Sequence, residues 1–244
     1  MNTFYKIFFT GCILIFLSSG VDVKAQRKSI TSDFLIGLNF AEMDIDGFNR
    51  NKVPKVGMSV GFNLNFKLKG NFQIQTGLYI SKKGLKQDIS YQSPPNAVNV
   101  VTISDTIRAW TSNYIQMPLC LGYEYYITKS FAVNINVGLY AGYGFRGRYK
   151  EENSMSYLYL QDGKKDVGTV NIIEDKDRSI YGLNGWKRFD YGAIARVGLI
   201  YDIFTVNFSY EYGLYDINNG DNILKSGYPS LKNRNMTVAL GFRF

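Results

Sequence analysis

Apolar and polar side chains alternate through most of the chain. Residues 55–68 place Val56, Met58, Val60, Phe62, Leu64, Phe66 and Leu68 on one face, and Lys55, Gly57, Ser59, Gly61, Asn63, Asn65 and Lys67 on the other. A period of two specifies a β-strand, because successive side chains leave opposite faces of the pleat. Residues 72–81 set Phe72, Ile74, Leu78 and Ile80 against Gln73, Gln75, Gly77 and Tyr79. Residues 131–144 set Phe131, Val133, Ile135, Val137 and Leu139 against Asn134, Asn136, Gly138, Tyr140 and Gly142. Further strands are predicted at 34–41, 111–124, 189–201, 204–215 and 235–244, which makes eight.

Alternation does not say which face points outward. A soluble eight-stranded barrel of lipocalin type would bury the apolar face. Here the polar face is rich in glycine, including Gly37, Gly57, Gly61, Gly77, Gly122, Gly138, Gly142, Gly192 and Gly198. Glycine weakens a solvent-facing strand, but it relieves crowding inside a narrow barrel. The Gly/Asn/Gln face therefore lines the lumen and the Leu/Val/Phe face meets lipid. The fold class is all-β, an eight-stranded antiparallel up-and-down transmembrane barrel.

The connections agree. They alternate long and short: 42–54, 69–71, 82–110, 125–130, 145–188, 202–203 and 216–234. Outer-membrane barrels have short periplasmic turns and long extracellular loops. Aromatic residues fall at both predicted rims of the lipid face. Phe66, Phe72, Tyr123, Phe131, Tyr201, Phe204 and Phe242 lie at one end, and Tyr143, Phe189, Tyr191 and Tyr212 at the other. Such girdles form where amphipathic rings meet headgroups. Within the longest connections, 86–91 and 98–103 flank Ser93-Pro94-Pro95-Asn96, and 156–160 and 167–173 flank Asp162-Gly163-Lys164. Both read as hairpins that continue above the membrane and offer exposed edges to a protein partner.

The first residues are a different object. Lys6 supplies a basic start, residues 7–17 a short apolar core, and Val23-Lys24-Ala25 a small-x-small site. Residues 1–25 are a secretory signal peptide and 26–244 the barrel domain. Cys12 precedes much of its apolar stretch instead of following it, so it does not mark a lipoprotein signal. Loss of Lys6, Asp22 and Lys24 takes the formal net charge from +8 to +7. In an exported chain this basic balance does not indicate nucleic acid. Scattered solvated charge, with a milder attraction to anionic headgroups, accounts for it. Cys120 is then the sole cysteine, so the mature chain has no internal disulfide.

Composition limits the chemistry. There are 19 Tyr and 17 Phe but only 5 Pro, as strands require. There is no His, which excludes a His general base, a Ser-His or Cys-His pair and His metal ligands. Residues 44–49 resemble the start of a calcium loop, but Lys55 stands where the closing Glu is needed. No catalytic residue, metal site or cofactor is expected.

Four features together resemble the PorT-like outer-membrane β-barrel family, typical of Bacteroidetes-type bacteria. They are the signal peptide, Asn113-Tyr114-Ile115-Gln116-Met117-Pro118-Leu119 opening the fourth strand, Phe189-Asp190-Tyr191-Gly192 opening the sixth, and the Gly241-Phe242-Arg243-Phe244 end. The resemblance covers the whole mature chain and implies an outer-membrane barrel. The founding member is linked to protein secretion, but most relatives share the barrel alone, so that role is not carried over. The terminal Phe244 resembles the signal read by barrel-assembly machinery. The expected function is a non-enzymatic barrel, seated in outer membrane lipid, that anchors exposed loops for binding or structural work. A narrow pore, or an accessory component of a secretion or transport apparatus, is the alternative. Inside the barrel, a two-residue turn at 202–203 places Arg196 opposite Ser209 and diagonal to Glu211. An Arg196–Glu211 pair, with Asp190, Gln75, Gln116 and Asn136 around it, is expected to form a polar plug.

Overall fold

The computed structural model describes residues 29–45, 52–94, 100–161, 164–182, 185–219 and 230–244. The signal peptide, residues 46–49 of the calcium-loop resemblance and the hairpin tips at 95–96 and 162–163 lie outside them. The strands are β1 (Ile30–Ile45), β2 (Lys52–Val53), β3 (Lys55–Lys67), β4 (Phe72–Gln92), β5 (Val100–Tyr126), β6 (Phe131–Gln161), β7 (Lys164–Arg178), β8 (Phe189–Tyr201), β9 (Phe204–Gly213) and β10 (Leu231–Arg243).

Eight of them close a ring. β1 pairs with β3, and pairing runs antiparallel through β4, β5, β6, β8, β9 and β10, which returns to β1. Closure leaves no sheet edge at membrane depth, where an unpaired backbone group costs several kcal/mol. No described helix is long and apolar enough to cross a membrane.

The alternation sorts the faces as the lumen argument requires. Ile36, Leu38, Met58, Ile80, Met117, Leu119, Val137, Leu139 and Leu240 are exposed on the outside. Asn39, Asn63, Asn65, Gln73, Gln75, Asn134, Asn136 and Asp190 are buried within. Glycine makes room for the rings packed inside. A Cβ on Gly61 would lie 2.1 Å from the Tyr79 ring. Aromatic pairs mark both rims. Phe72 packs edge-on to Tyr123 at 5.2 Å and Phe204 lies 5.4 Å from Phe242, while Tyr191 and Tyr215 stand 5.0 Å apart at the far end.

The short turns are tight. Gly70 and Asn71 adopt left-handed backbone (φ 72° and 68°) between β3 and β4, and Asp202 (φ 54°) turns β8 into β9. Tyr201 faces Phe204, so Arg196 stands opposite Ser209 as the two-residue turn requires.

The two hairpins expected above the membrane are present: residues 86–91 pair with 104–109, a few residues later than the expected 98–103, and residues 156–160 pair with 165–169. The third, fourth and fifth strands do not stop at the membrane. β4 and β5 stay paired out to Gln92 and Ile103, and β5 and β6 out to Val100 and Tyr159. β7 then folds back on β6, from Gln161 against Lys164 to Tyr149 against Arg178. β2 adds to the opposite edge through Lys52–Gln87 and Val53–Lys86. Much of what reads as loop is therefore sheet raised above the barrel. The stretches that join these hairpins to the ring were read as connections, because water replaces lipid on one face and the strict apolar alternation ends while the ladder continues.

Candidate functional site

The lumen concentrates the chain's buried charge. At the end that carries the short turns, Arg243 reaches Asp33 (Nε–Oδ1 2.6 Å) and Glu124 (NH1–Oε2 2.8 Å). Lys67 also pairs with Glu124, and Tyr126 donates to it at 2.5 Å. Asn65 donates to Asp33 at 2.8 Å. Asp33 and Glu124 are almost wholly buried, so the cluster ties β1, β3, β5 and β10 together across the lumen.

Arg196 occupies the middle. Its guanidinium donates to Tyr79 OH (2.9 Å), Asn63 Oδ1 (3.1 Å) and Gln75 Oε1 (3.3 Å), and it lies 4.5 Å over the Tyr79 ring. Gln75 donates on to Asn65 (2.7 Å), and Gln73 to Asn136 (2.8 Å). A cavity of about 20 Å³ lies beside Arg196, lined by Ser59, Ser209 and Thr237, with room for a single water.

The third layer corrects the expected ion pair. Glu211 is bound by Lys83 (Nζ–Oε2 2.7 Å), not by Arg196. Lys83 also faces Asp190 at 3.6 Å and lies over the rings of Tyr140 (4.7 Å) and Tyr114 (5.3 Å). Asp190 accepts from Asn233 (2.9 Å) and Tyr140 (3.2 Å), and Glu211 accepts from Asn235 (3.3 Å). Arg196, Glu211 and Asp190 all enter the interior. Cross-strand position put Arg196 diagonal to Glu211, but its side chain turns toward β3 and β4, where Asn63, Gln75 and Tyr79 converge. Lys83 lay in a segment read as loop. Its parity with Gln73, Gln75 and Ser81 is the signal that would have placed it inside.

An apolar cap overlies this charge. Met43, Leu85, Ile180, Tyr181, Trp186 and Ile217 form one buried cluster, with Trp110, Tyr149 and Tyr215 packed against it. Tyr181 hydrogen-bonds to Ser112, and Arg188 lies 4.6 Å over its ring. A Cβ on Gly144 would strike Tyr181, so glycine there lets the ring descend into the mouth. No strand pattern or motif around Ile180, Tyr181 and Trp186 announces this cap. Cys120 is buried against Tyr140 and Ile194 in a small apolar patch of the wall. Among the described residues no group of three or more Cys, Asp or Glu is placed to hold a metal ion.

A closed ring of eight antiparallel strands, apolar outside and charged within, is the architecture of an outer-membrane β-barrel. The chain belongs to the outer membrane protein beta-barrel domain family, whose pattern matches residues 24–219. That placement assigns it to the outer membrane. Among solved structures it is similar to Ail, the attachment invasion locus protein of Yersinia pestis, with 11% identity, 88% of this chain and 99% of that chain covered, and a TM-score of 0.35. It is also similar to Neisserial surface protein A, with 9% identity, 88% and 96% coverage, and a TM-score of 0.35. OprG from Pseudomonas aeruginosa is 9% identical, with 91% and 99% coverage and a TM-score of 0.28. No curated protein matches the chain.

Proposed function

We propose that this protein is a non-enzymatic barrel, sealed by its own side chains, that anchors a raised extracellular β-sheet for binding. The observation that carries the reading is the continuation of β4, β5 and β6 as a paired sheet beyond the ring, joined by β7. Among the described residues β7 pairs only with β6, so its other edge offers backbone donors and acceptors to an extended segment of a protein partner. The absence of His supports a role without catalysis or cofactor, and export argues against nucleic acid as a partner. Within the wider family, the sequence features that resemble the PorT-like, Bacteroidetes-type group are the basis for placing it there.

Two layers of ion pairs, with Arg196 held by neutral side chains between them, and an apolar cap above support a closed lumen. The full-length mature protein in planar bilayers should show no steady ion conductance at neutral pH. Sustained conductance by the monomer would favour the narrow pore, or the accessory component of a secretion or transport apparatus.

Assembly completes the reading. Residues 1–25 act as a cleaved export signal, and Phe244 is the terminal aromatic presented to barrel-assembly machinery. Phe244 is exposed, and its backbone exchanges hydrogen bonds with Ser32 at 2.8 and 3.2 Å across the β1–β10 seam. Phe244→Asp should slow assembly while leaving those backbone bonds available. Unchanged levels of heat-modifiable folded barrel would count against this role.

A further inference from the structure

The three hydrogen bonds that hold Arg196 are all made by one terminal nitrogen, NH1. Their acceptors, Asn63, Gln75 and Tyr79, are uncharged. The Nε of Arg196 is buried and has no acceptor among the described residues. The Nε–NH2 edge of the fork, the edge that grips a bidentate acceptor, is therefore unengaged. Among the described residues no carboxylate forms an ion pair with this guanidinium. Asp33 and Glu124 go to Arg243 and Lys67, and Asp190 and Glu211 go to Lys83. Arg196 is only 6% exposed, so it is a cation out of water with neutral partners alone.

Arg196 lines a cavity of about 20 Å³ together with Ser59, Asn207, Ser209 and Thr237, over Leu35 and Ala239. Its NH1 is committed, so the donors it has for this space are Nε and NH2. Thr237 already donates to Asn39 at 2.7 Å, and Asn207 to Thr205 at 2.8 Å. The hydroxyls of Ser59 and Ser209 have no partner among the described residues. Donors from β3, β8 and β9 thus border one small space that no carboxylate lines. Donors without acceptors beside a desolvated cation call for an anion. The volume sets its size. Space for about one water admits a monatomic ion and excludes phosphate, sulfate and organic acids.

We infer that this cavity binds one halide ion, such as chloride, held by Nε and NH2 of Arg196 and by the hydroxyls of Ser59 and Ser209. The ion neutralises the guanidinium in the middle of the barrel and ties β8 and β9 to β3 across the lumen. Tyr79 fixes the geometry, since its ring lies 4.5 Å from the guanidinium and packs over Gly61. The site rests on the closed lumen, which the conductance measurement tests separately, and its ion is taken up as the barrel folds. The competing counter-charge is the layer above, where Glu211 and Asp190 share Lys83 and leave a surplus negative charge. If attraction to that layer is all that Arg196 needs, stability will not depend on halide.

Urea unfolding of the full-length mature protein in vesicles of uncharged lipid tests the site, because urea adds no anion. Bromide is the probe, at constant ionic strength made up with gluconate, which is too large for the cavity. Above half-saturation the folded-to-unfolded ratio should rise about tenfold for each tenfold rise in bromide, as one ion bound to the folded state alone requires. Ser59→Ala/Ser209→Ala keeps Arg196 and should move this dependence to bromide concentrations on the order of 100-fold higher, about tenfold for each hydrogen bond to a charged group. Ser209→Val puts methyl groups into the space and should abolish the dependence. Both variants share any general salt effect with wild type, and the slope against bromide is insensitive to a uniform loss of stability. Protein refolded and crystallised in bromide should show an anomalous peak between Arg196 and Ser209. Equal urea midpoints in bromide and gluconate, an unchanged bromide dependence in the double serine variant, or bromide on the surface alone with water in the cavity would each overturn the site.

Discussion

Lys83→Ala should destabilise the barrel by about 3–5 kcal/mol, the usual result of removing one partner from a buried ion pair. Lys83 is 1% exposed, and its loss leaves Glu211 and Asp190, both buried, without their cation. Asn233, Asn235 and Tyr140 still donate to those carboxylates, but neutral donors do not compensate two desolvated negative charges. Glu211→Gln added to Lys83→Met should recover part of the loss, with a coupling energy of about 1–3 kcal/mol. Arg196→Ala combined with Glu211→Ala should recover less, because Arg196 is bound by Asn63, Gln75 and Tyr79 instead. The measurement is the denaturant midpoint of the folded, heat-modifiable band in detergent. A Lys83→Ala midpoint equal to wild type would mean that the interior charges are hydrated and the lumen is not packed.

The second large effect tests the two faces of one strand. Val137→Arg should cost about 2–4 kcal/mol, the range for a basic side chain at the lipid midplane. Val137 is 56% exposed on the outer face of β6, between Leu121 and Ala195 on its neighbours, so the guanidinium has only acyl chains to meet. Asn136, one residue earlier, is fully buried and stands opposite Arg196. Asn136→Ser keeps a small polar side chain in the lumen, loses the bond from Gln73, and should cost about 1 kcal/mol, less than Val137→Arg. Folding titrations in lipid vesicles distinguish the two. Equal penalties at 136 and 137 would mean that the strand is not sorted between lipid and lumen.

Strand number, face and phase were legible because each rests on a local signal. The alternation at 55–68 and 131–144 needs no partner to be read, and the glycines on the polar face already indicate a crowded interior. The register of β8 and β9 followed from a two-residue turn, and Arg196 does stand opposite Ser209. Above the barrel the hairpin strands at 86–91 and 156–160 were legible, but the unbroken ladders that join them to the ring were not. Above the lipid the outer face becomes charged, as at Lys82, Arg146 and Arg148, and the period-two signal vanishes although hydrogen bonding continues to Gln92 and Tyr159.

The sequence by itself determined that the chain crosses a membrane as an even-stranded barrel, which way its faces point and which connections are long. Strand periodicity and residue size are properties of single segments, so no fold need be known to use them. Only the tertiary structure decided who pairs with whom inside. Lys83 meets Glu211 from the other side of the ring, Arg243 spans from β10 to Glu124 on β5, and Trp186 and Ile217 descend from separate connections onto Met43 and Leu85. In a narrow closed barrel, long side chains reach across the lumen to strands far away in sequence. Cross-strand adjacency ranks the neighbours of Arg196 correctly along the wall, but the Tyr79 ring, packed over Gly61, determines where its guanidinium goes.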